Sequence, residues 1–189
     1  MANTKFFLLT GDPGVGKTTL ITKLNSILNE KGISTSGFYT EEVRKNRVRE
    51  GFDVVSLDGQ RGRLARDSAL LTGPIKYTVG RYGVLVQEFE NVAVPSIKKL
   101  NDQQSQVLII DEIGKMEFFS NLFKSRVEEI FNSNSTSFVL ATIPSRKSDA
   151  LIENIRNHSK AKLWVVTKAN RNNLHEDILK ELNSLLNIK

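Results

Sequence analysis

The chain has no cysteine, only four prolines among its 189 residues, and no apolar run near the length of a membrane span. A spanning helix needs about 20 consecutive apolar residues. Without cysteine there are no disulfides, thiolate metal sites or thiol nucleophiles, and this composition fits a reducing compartment. The first four residues lead directly into an apolar run, which leaves no length for a targeting segment. We therefore expect an intracellular, cytoplasmic protein without a membrane anchor.

Internal repeats, low-complexity segments and linkers are also missing from the sequence, so nothing divides the chain. Its length is that of one ordinary domain. We predict a single domain over residues 1–189 and expect it to be a monomer.

The formal net charge of +6 raises the question of nucleic-acid binding, since basic surfaces attract phosphate backbones. Part of the excess is local and comes from Arg44, Lys45, Arg47, Arg49, Arg61, Arg63 and Arg66. Acidic residues are mixed among them, which is typical of the solvated face of a hairpin. A nucleotide would also explain a positive site, and nucleic acid is not the partner that we expect.

Residues 11–19 read GDPGVGKTT and match the phosphate-binding loop pattern G-x-x-x-x-G-K-[ST]. The glycines let successive backbone N–H groups point inward at a polyphosphate, while Lys17 reaches the β- and γ-phosphates and Thr18 holds Mg²⁺. An apolar run precedes the loop and a helical pattern follows it, as the motif requires. The loop residues predicted to bind nucleotide are Gly11, Asp12, Pro13, Gly14, Val15, Gly16, Lys17, Thr18 and Thr19.

Hydrophobic patterning predicts an α/β fold with a mostly parallel sheet and helices on both faces. Strands are expected at about 5–10, 38–43, 51–57, 77–86, 107–110, 137–142 and 163–167. Helices are expected at about 17–30, 88–100, 118–131, 148–157 and 172–186. Turn signals between the β-type runs in the middle of the chain indicate an antiparallel β insertion at about 37–86.

A second acidic motif, Asp111-Glu112, directly follows the apolar run at 107–110. Ligands of such sheets lie at the carboxyl ends of the strands, so Asp111 is expected beside Thr18, where it would serve Mg²⁺. Glu112 could then orient the water that attacks the γ-phosphate and take its proton. The alternative, an acidic pair that only caps the next helix, is not favoured once the loop upstream is considered.

Three further residues near these strand ends are candidates for a role in the site, and two of them have two interpretations each. Lys115 either stabilises charge that develops during phosphoryl transfer or lies in solvent at a helix start. Thr142 either contacts the γ-phosphate or the attacking water, or only ends a strand. For Glu117, a position in the first turn of a helix is favoured.

The segment 167–172 closes the last predicted strand at the same edge of the sheet, where Asn170 and Arg171 are candidates for contacts to base or ribose. Arg171 could instead act as an arginine finger, although a surface role is favoured for it. The segment lacks the aspartate of the Asn-Lys-x-Asp guanine-reading motif. Guanine specificity is therefore not predicted.

Taken together, these motifs resemble the cancer-related nucleoside-triphosphatase family, whose members are small phosphate-loop enzymes. The resemblance depends on GDPGVGKTTLI, GFYTEEVR, GFDVVSLDG, VLIIDEIGKME, ATIP and VTKANRN, which together span nearly the whole chain. Of these, DEIGKME and GFYTEE are the most specific. Asp12 stands where the family typically has proline.

The resemblance implies a RecA-like P-loop NTPase fold and Mg²⁺-dependent hydrolysis of ATP, GTP, CTP and UTP to nucleoside diphosphate and phosphate. It also implies broad base tolerance and slow turnover, with residues 11–18 binding nucleotide and Asp111 and Glu112 as the metal-associated and catalytic acids. Two alternatives stay open. One is a nucleotide or small-molecule kinase with a lid at residues 44–66, and the other is an NTPase switch regulated by nucleic acid or a partner.

Overall fold

The computed structural model describes residues 4–97 and 106–186. Its strands are β1 (Phe6–Thr10), β2 (Thr35–Lys45), β3 (Val48–Ser56), β4 (Arg61–Asp67), β5 (Thr78–Val79), β6 (Tyr82–Val84), β7 (Val107–Ile110), β8 (Phe138–Thr142) and β9 (Ala161–Val165). Its α-helices are α1 (Lys17–Glu30), α2 (Val86–Ser96), α3 (Asn121–Asn132), α4 (Ala150–Arg156) and α5 (Leu174–Leu185). Short 3-10 turns lie at Ser68–Leu70 and Glu117–Phe119.

These strands form one sheet in the order β5-β6-β4-β3-β2-β7-β8-β1-β9. Two parts of the sheet differ in strand direction. The neighbouring strands β2, β7, β8, β1 and β9 pair in parallel, whereas the neighbouring strands β5, β6, β4, β3 and β2 pair antiparallel. Strand β2 belongs to both parts, since Thr35–Phe38 pairs with β7 and the rest of the strand continues into a hairpin with β3. The hairpin therefore projects beyond the carboxyl edge of the parallel strands.

Helices cover both faces of the sheet, and the alternation of side chains along β1 explains why. Phe6 and Leu8 belong to a core beneath α2, α3 and α4, while Phe7 and Leu9 belong to a second core beneath α1 and α5. Successive side chains of a strand point to opposite faces, so a continuous apolar run supplies both cores. The predicted α/β fold with its antiparallel insertion is confirmed.

The boundaries of several predicted elements were wrong for local reasons. Residues 77–86, predicted as a strand that its two glycines bend or break, form the two short strands β5 and β6, because the chain reverses between them at Gly80, whose φ is 57°. The helix predicted at 118–131 begins only at Asn121, since the Ser120 hydroxyl caps it by accepting from the N–H of Phe123. The helix predicted at 88–100 already begins at Val86 and is described as far as Ser96; its predicted last residues, 98–100, lie outside the described residues.

Smaller shifts affect the later elements. The strand predicted at 163–167 is β9, which begins and ends two residues earlier, and the helices predicted at 148–157 and 172–186 are shortened to α4 and α5. The arginine-rich stretch Arg61–Asp67 forms a strand that was not predicted, since its charged side chains hide a β pattern. No helix in the described part of the chain has the length and apolar character needed to cross a membrane.

The β2–β3 hairpin turns through Asn46 and Arg47, whose φ angles are 48° and 66°. Positive φ is costly for a residue with a Cβ, and glycine is the preferred second residue of such two-residue turns. We expect Arg47→Gly to stabilise the protein by about 0.5–1 kcal/mol, which raises its melting temperature by roughly 1–4 °C. Thermal unfolding measures this.

Lys45→Gly is the matched control, because it places glycine in the neighbouring strand, where glycine weakens pairing. That variant should melt at a lower temperature than the unchanged protein. An Arg47→Gly variant that also melts earlier would contradict the strain ascribed to the turn.

Candidate active site

The phosphate-binding loop joins β1 to α1 at the carboxyl edge of the parallel strands. Gly11 is required here by close approach, since a Cβ on it would stand 2.5 Å from the carbonyl oxygen of Val166. Gly16 precedes α1, and no side chain caps the first N–H groups of the helix. These amides and the positive end of the helix dipole are therefore available to an anion.

Lys17 lies across the mouth of this loop. Its ammonium group donates to the carbonyl oxygens of Gly11 at 3.0 Å and Asp12 at 3.3 Å. Asp12 itself is exposed, as are Pro13, Gly14 and Thr19. The lysine is held over the loop by weak neutral acceptors, which phosphate oxygens can replace with stronger, charge-assisted bonds.

Asp111 directly follows β7 and accepts hydrogen bonds from threonines of three different elements. Thr18 of α1 donates to Oδ2 at 2.7 Å, and Thr142 of β8 donates to Oδ1 at 2.6 Å. The N–H and hydroxyl of Thr40 in β2 donate to Oδ2 at 3.4 and 3.5 Å. The two halves of the site that the sequence predicted are thus in direct contact.

The acidic pair lies in an environment that disfavours its charge. Asp111 is 1% exposed, and burial raises the pKa of its carboxyl, against the effect of the hydrogen bonds from Thr142 and Thr18. Burial, followed by the charge of Asp111, also raises the pKa of Glu112, while the ammonium of Lys17 opposes this rise. A base that is partly desolvated and faces a second acid is stronger than a surface glutamate, which suits it to proton transfer.

The sequence did not predict the contact of one residue at this edge, Thr40, or the burial of another, Glu117. Thr40 was not predicted, although the parallel pairing of β2 with β7 brings it beside Asp111. Glu117 lies in the 3-10 turn before α3, not in the first turn of that helix, and it is only 5% exposed. A glutamate between an apolar strand and a helix carries no signal of burial, because such positions are usually solvated.

The other predicted site residues occupy different surroundings. Lys115 is exposed, and Thr142 is fully buried with its hydroxyl on Asp111. The Asn170 side chain accepts from the N–H of Thr167 and donates to the carbonyl of Val165, so it builds the local turn. Arg171 reaches the loop, where its guanidinium donates to the carbonyl oxygen of Val15 at 3.3 Å. The catalytic and binding roles of these residues stay predictions.

Comparisons with known proteins agree with this geometry. The sequence profile of the NTPase family matches residues 6–179. The human cancer-related nucleoside-triphosphatase is 45% identical over 90% of this chain and 93% of its own length. Nucleoside-triphosphatase THEP1 of Thermotoga maritima is 42% identical over 93% of this chain and 94% of its own length.

Solved structures give the same result. The crystal structure of THEP1 from Aquifex aeolicus superposes with a TM-score of 0.79 at 38% identity and covers 93% of this chain and 97% of that one. The solution structure of a human cancer-related nucleoside triphosphatase gives a TM-score of 0.80 at 43% identity and covers 96% and 98%. The profile match over most of the chain, together with these relatives, shows that the chain belongs to the NTPase family.

Proposed function

We propose that this protein hydrolyses nucleoside triphosphates to nucleoside diphosphate and phosphate, with Mg²⁺ as its cofactor. The observation that carries the proposal is the hydrogen bond of 2.7 Å between Thr18 and Asp111, since it brings the acidic pair to the phosphate-binding loop. The human and the Thermotoga maritima relatives are both named nucleoside-triphosphatases, which supports the same reaction here.

The residues present fit a magnesium ion. Thr18 and Asp111 offer hydroxyl and carboxylate oxygens, the donors that Mg²⁺ prefers, and would hold it. In residues 4–97 and 106–186 no group of three acidic or histidine side chains forms a metal cage. Such a sparse donor set suits Mg²⁺, which usually keeps several waters and binds through one or two carboxylates plus substrate phosphates. When bound, the ion neutralises charge on the β- and γ-phosphates.

Each of the remaining residues at the site has its own role in the proposed reaction. Lys17 and the free backbone N–H groups of the loop bind the β- and γ-phosphates and stabilise the charge that develops on them. Glu112 takes one proton from the attacking water as its oxygen bonds to the γ-phosphorus. The bond from that phosphorus to the bridging oxygen breaks, and its electron pair stays on the nucleoside diphosphate. Thr142 and Thr40 hold Asp111 in place, and Lys115 stays a candidate for stabilising transferred charge.

The surroundings of the arginines favour hydrolysis over a kinase. Arg61 and Arg66 bind Asp53, Arg63 binds Glu88, and Arg44 and Arg49 bind Glu42. Carboxylates of the insertion and of α2 pair with these five arginines, so the arginines are poorly suited to clamp a phosphorylated acceptor. A kinase must also exclude water, and an acid placed to activate water would work against that.

We further propose broad base tolerance and slow turnover. Base tolerance is supported by Asn170, whose amide is occupied by backbone groups of its own turn and therefore does not read a base edge. Asn170 and Arg171 would then contact the nucleotide without base-specific hydrogen bonds. A single domain, a monomer and a cytoplasmic location stay predictions of the sequence.

Glu112→Gln tests the base. The amide keeps the size of the side chain but cannot accept the proton, so kcat for phosphate release should fall about 10²–10⁴-fold while nucleotide affinity is retained. Glu128→Gln on the exposed surface of α3 is the control and should leave both unchanged. An active Glu112→Gln variant would remove Glu112 from the mechanism.

Lys17→Ala tests the loop. Loss of the ammonium should lower both nucleotide affinity and kcat by more than about tenfold, because it contacts phosphates in the ground state and in the transition state. Lys23→Ala, an exposed position on the same helix, is the control. Unchanged nucleotide binding by Lys17→Ala in equilibrium titrations would speak against the proposed phosphate site.

Phosphate release from ATP, GTP, CTP and UTP tests the reaction itself. Without any added acceptor, all four should release phosphate, and chelation of Mg²⁺ with EDTA should abolish release for each. Release that requires a small-molecule acceptor would favour the kinase. Stimulation by RNA or DNA that disappears at high salt would favour the nucleic-acid-regulated switch.

A further inference from the structure

Glu117 is a buried acid for which the mechanism above has no role. It is 5% exposed, and none of the salt bridges within residues 4–97 and 106–186 includes it. The backbone N–H groups of Glu117 itself and of Gly114 stabilise the charged form of its carboxyl group and so lower its pKa, but less than burial raises it. Asp53, a buried acid of the insertion, is instead matched by two arginines. Burying an acid without a cation is costly, so its place requires an explanation.

The place of Glu117 is defined by Gly114. A Cβ on this glycine would stand 2.9 Å from Glu117 Oε2 and 3.4 Å from Glu112 Oε1. The two carboxyl groups therefore converge over the same point of the backbone, and only the missing side chain of Gly114 leaves them room. Both carboxyl groups lie beside the same backbone position, which brings them close enough to interact through a bridging water or after a small side-chain rotation.

The segment that carries Glu117 is held firmly from several sides. The N–H of Phe118 donates to the carbonyl of Gly114, and the N–H of Ser120 donates to that of Glu117. The Ser120 hydroxyl donates to Glu90 of α2 at 2.6 Å. The ring of Phe119 stacks on Tyr77, with centroids 4.7 Å apart. A fixed support of this kind is what orients a catalytic group.

The surroundings of Glu117 favour the neutral form of its carboxyl group. Burial raises its pKa well above the usual range of a glutamate, and the charges of Glu112 and then Asp111 raise it further. The two backbone N–H groups oppose this only in part. An uncharged carboxyl group has an O–H to donate, and Glu112 is the acceptor that lies beside it.

We propose that Glu117 is a positioning residue, whose carboxyl group beside Gly114 holds the Glu112 side chain in the orientation that receives the proton of the attacking water. Glu117 does not touch the nucleotide and acts only through Glu112. This inference rests on the proposed function, in which Glu112 is the base. It assigns a reason to the burial of Glu117 and to the glycine at position 114.

Two substitutions at position 117 separate positioning from packing. Glu117→Gln keeps the shape and an N–H donor, and it should lower kcat less than about fivefold. Glu117→Met keeps the volume without a donor, and it should lower kcat at least about 20-fold, part of the contribution of a general base. Nucleotide affinity, measured by equilibrium binding of ADP, should be unchanged in both. Glu128→Met on exposed α3 is the control.

The same substitution in a Glu112→Gln background tests whether Glu117 acts through Glu112. Because the base is already removed there, Glu117→Met should have no further effect on kcat. Equal kcat values for the unchanged protein and Glu117→Met, or fully additive losses in the double variant, would overturn the positioning role. If the unchanged protein releases no phosphate from any nucleotide, the proposed function itself fails.

Stability provides a readout that does not depend on activity. Because its pKa is raised in the folded protein, Glu117 keeps its proton to a higher pH there than in the unfolded chain, so this group lowers stability as pH rises from its ordinary pKa. The charges of Glu112 and Asp111 raise the pKa of Glu117 further and so strengthen this dependence of stability on pH. The melting temperature of Glu117→Gln relative to the unchanged protein should therefore be higher at pH 8 than at pH 5. An equal difference at both values would contradict a protonated Glu117.

Discussion

The hydrogen bond between Thr18 Oγ1 and Asp111 Oδ2 joins groups that are 93 residues apart in the chain. It can form only if β1 and β7 end at the same edge of the sheet, with α1 starting directly above that edge. The parallel pairing of β7 with β8 and of β8 with β1 satisfies this requirement. The rest of the proposed site depends on this contact, because it places the predicted phosphate-binding loop beside the acids at the strand end.

A carboxylate as buried as that of Asp111 needs hydrogen-bond donors, and threonines provide them. One hydroxyl comes from each neighbouring element, which ties α1, β2 and β8 to a single side chain. Through Thr40, the antiparallel insertion is also connected to the site, and the β2–β3 hairpin forms a wall beside it.

Acidic groups dominate the interior of the site, where Asp111, Glu112 and Glu117 lie close together and Lys17 is the nearby cation. In a medium of low dielectric constant, such groups raise one another's pKa and favour the binding of a positive ion. The same surroundings make Glu112 a better base than a solvated glutamate. The arrangement is unfavourable for stability and useful for chemistry, a combination expected at active sites and seldom elsewhere.

Short-range patterns in the sequence determined the phosphate-binding loop, the α/β alternation, and the pair Asp111-Glu112. Each of these is specified by a few consecutive residues; the α/β fold is confirmed, and the roles of the loop and of the acidic pair stay predictions. Pairings across the sheet were decided only by the tertiary structure, and with them the place of Thr40 beside Asp111 and the commitment of the Thr142 hydroxyl. Burial of Glu117 was also invisible, because it results from how the 3-10 turn packs against other elements and leaves no trace in its neighbours along the chain.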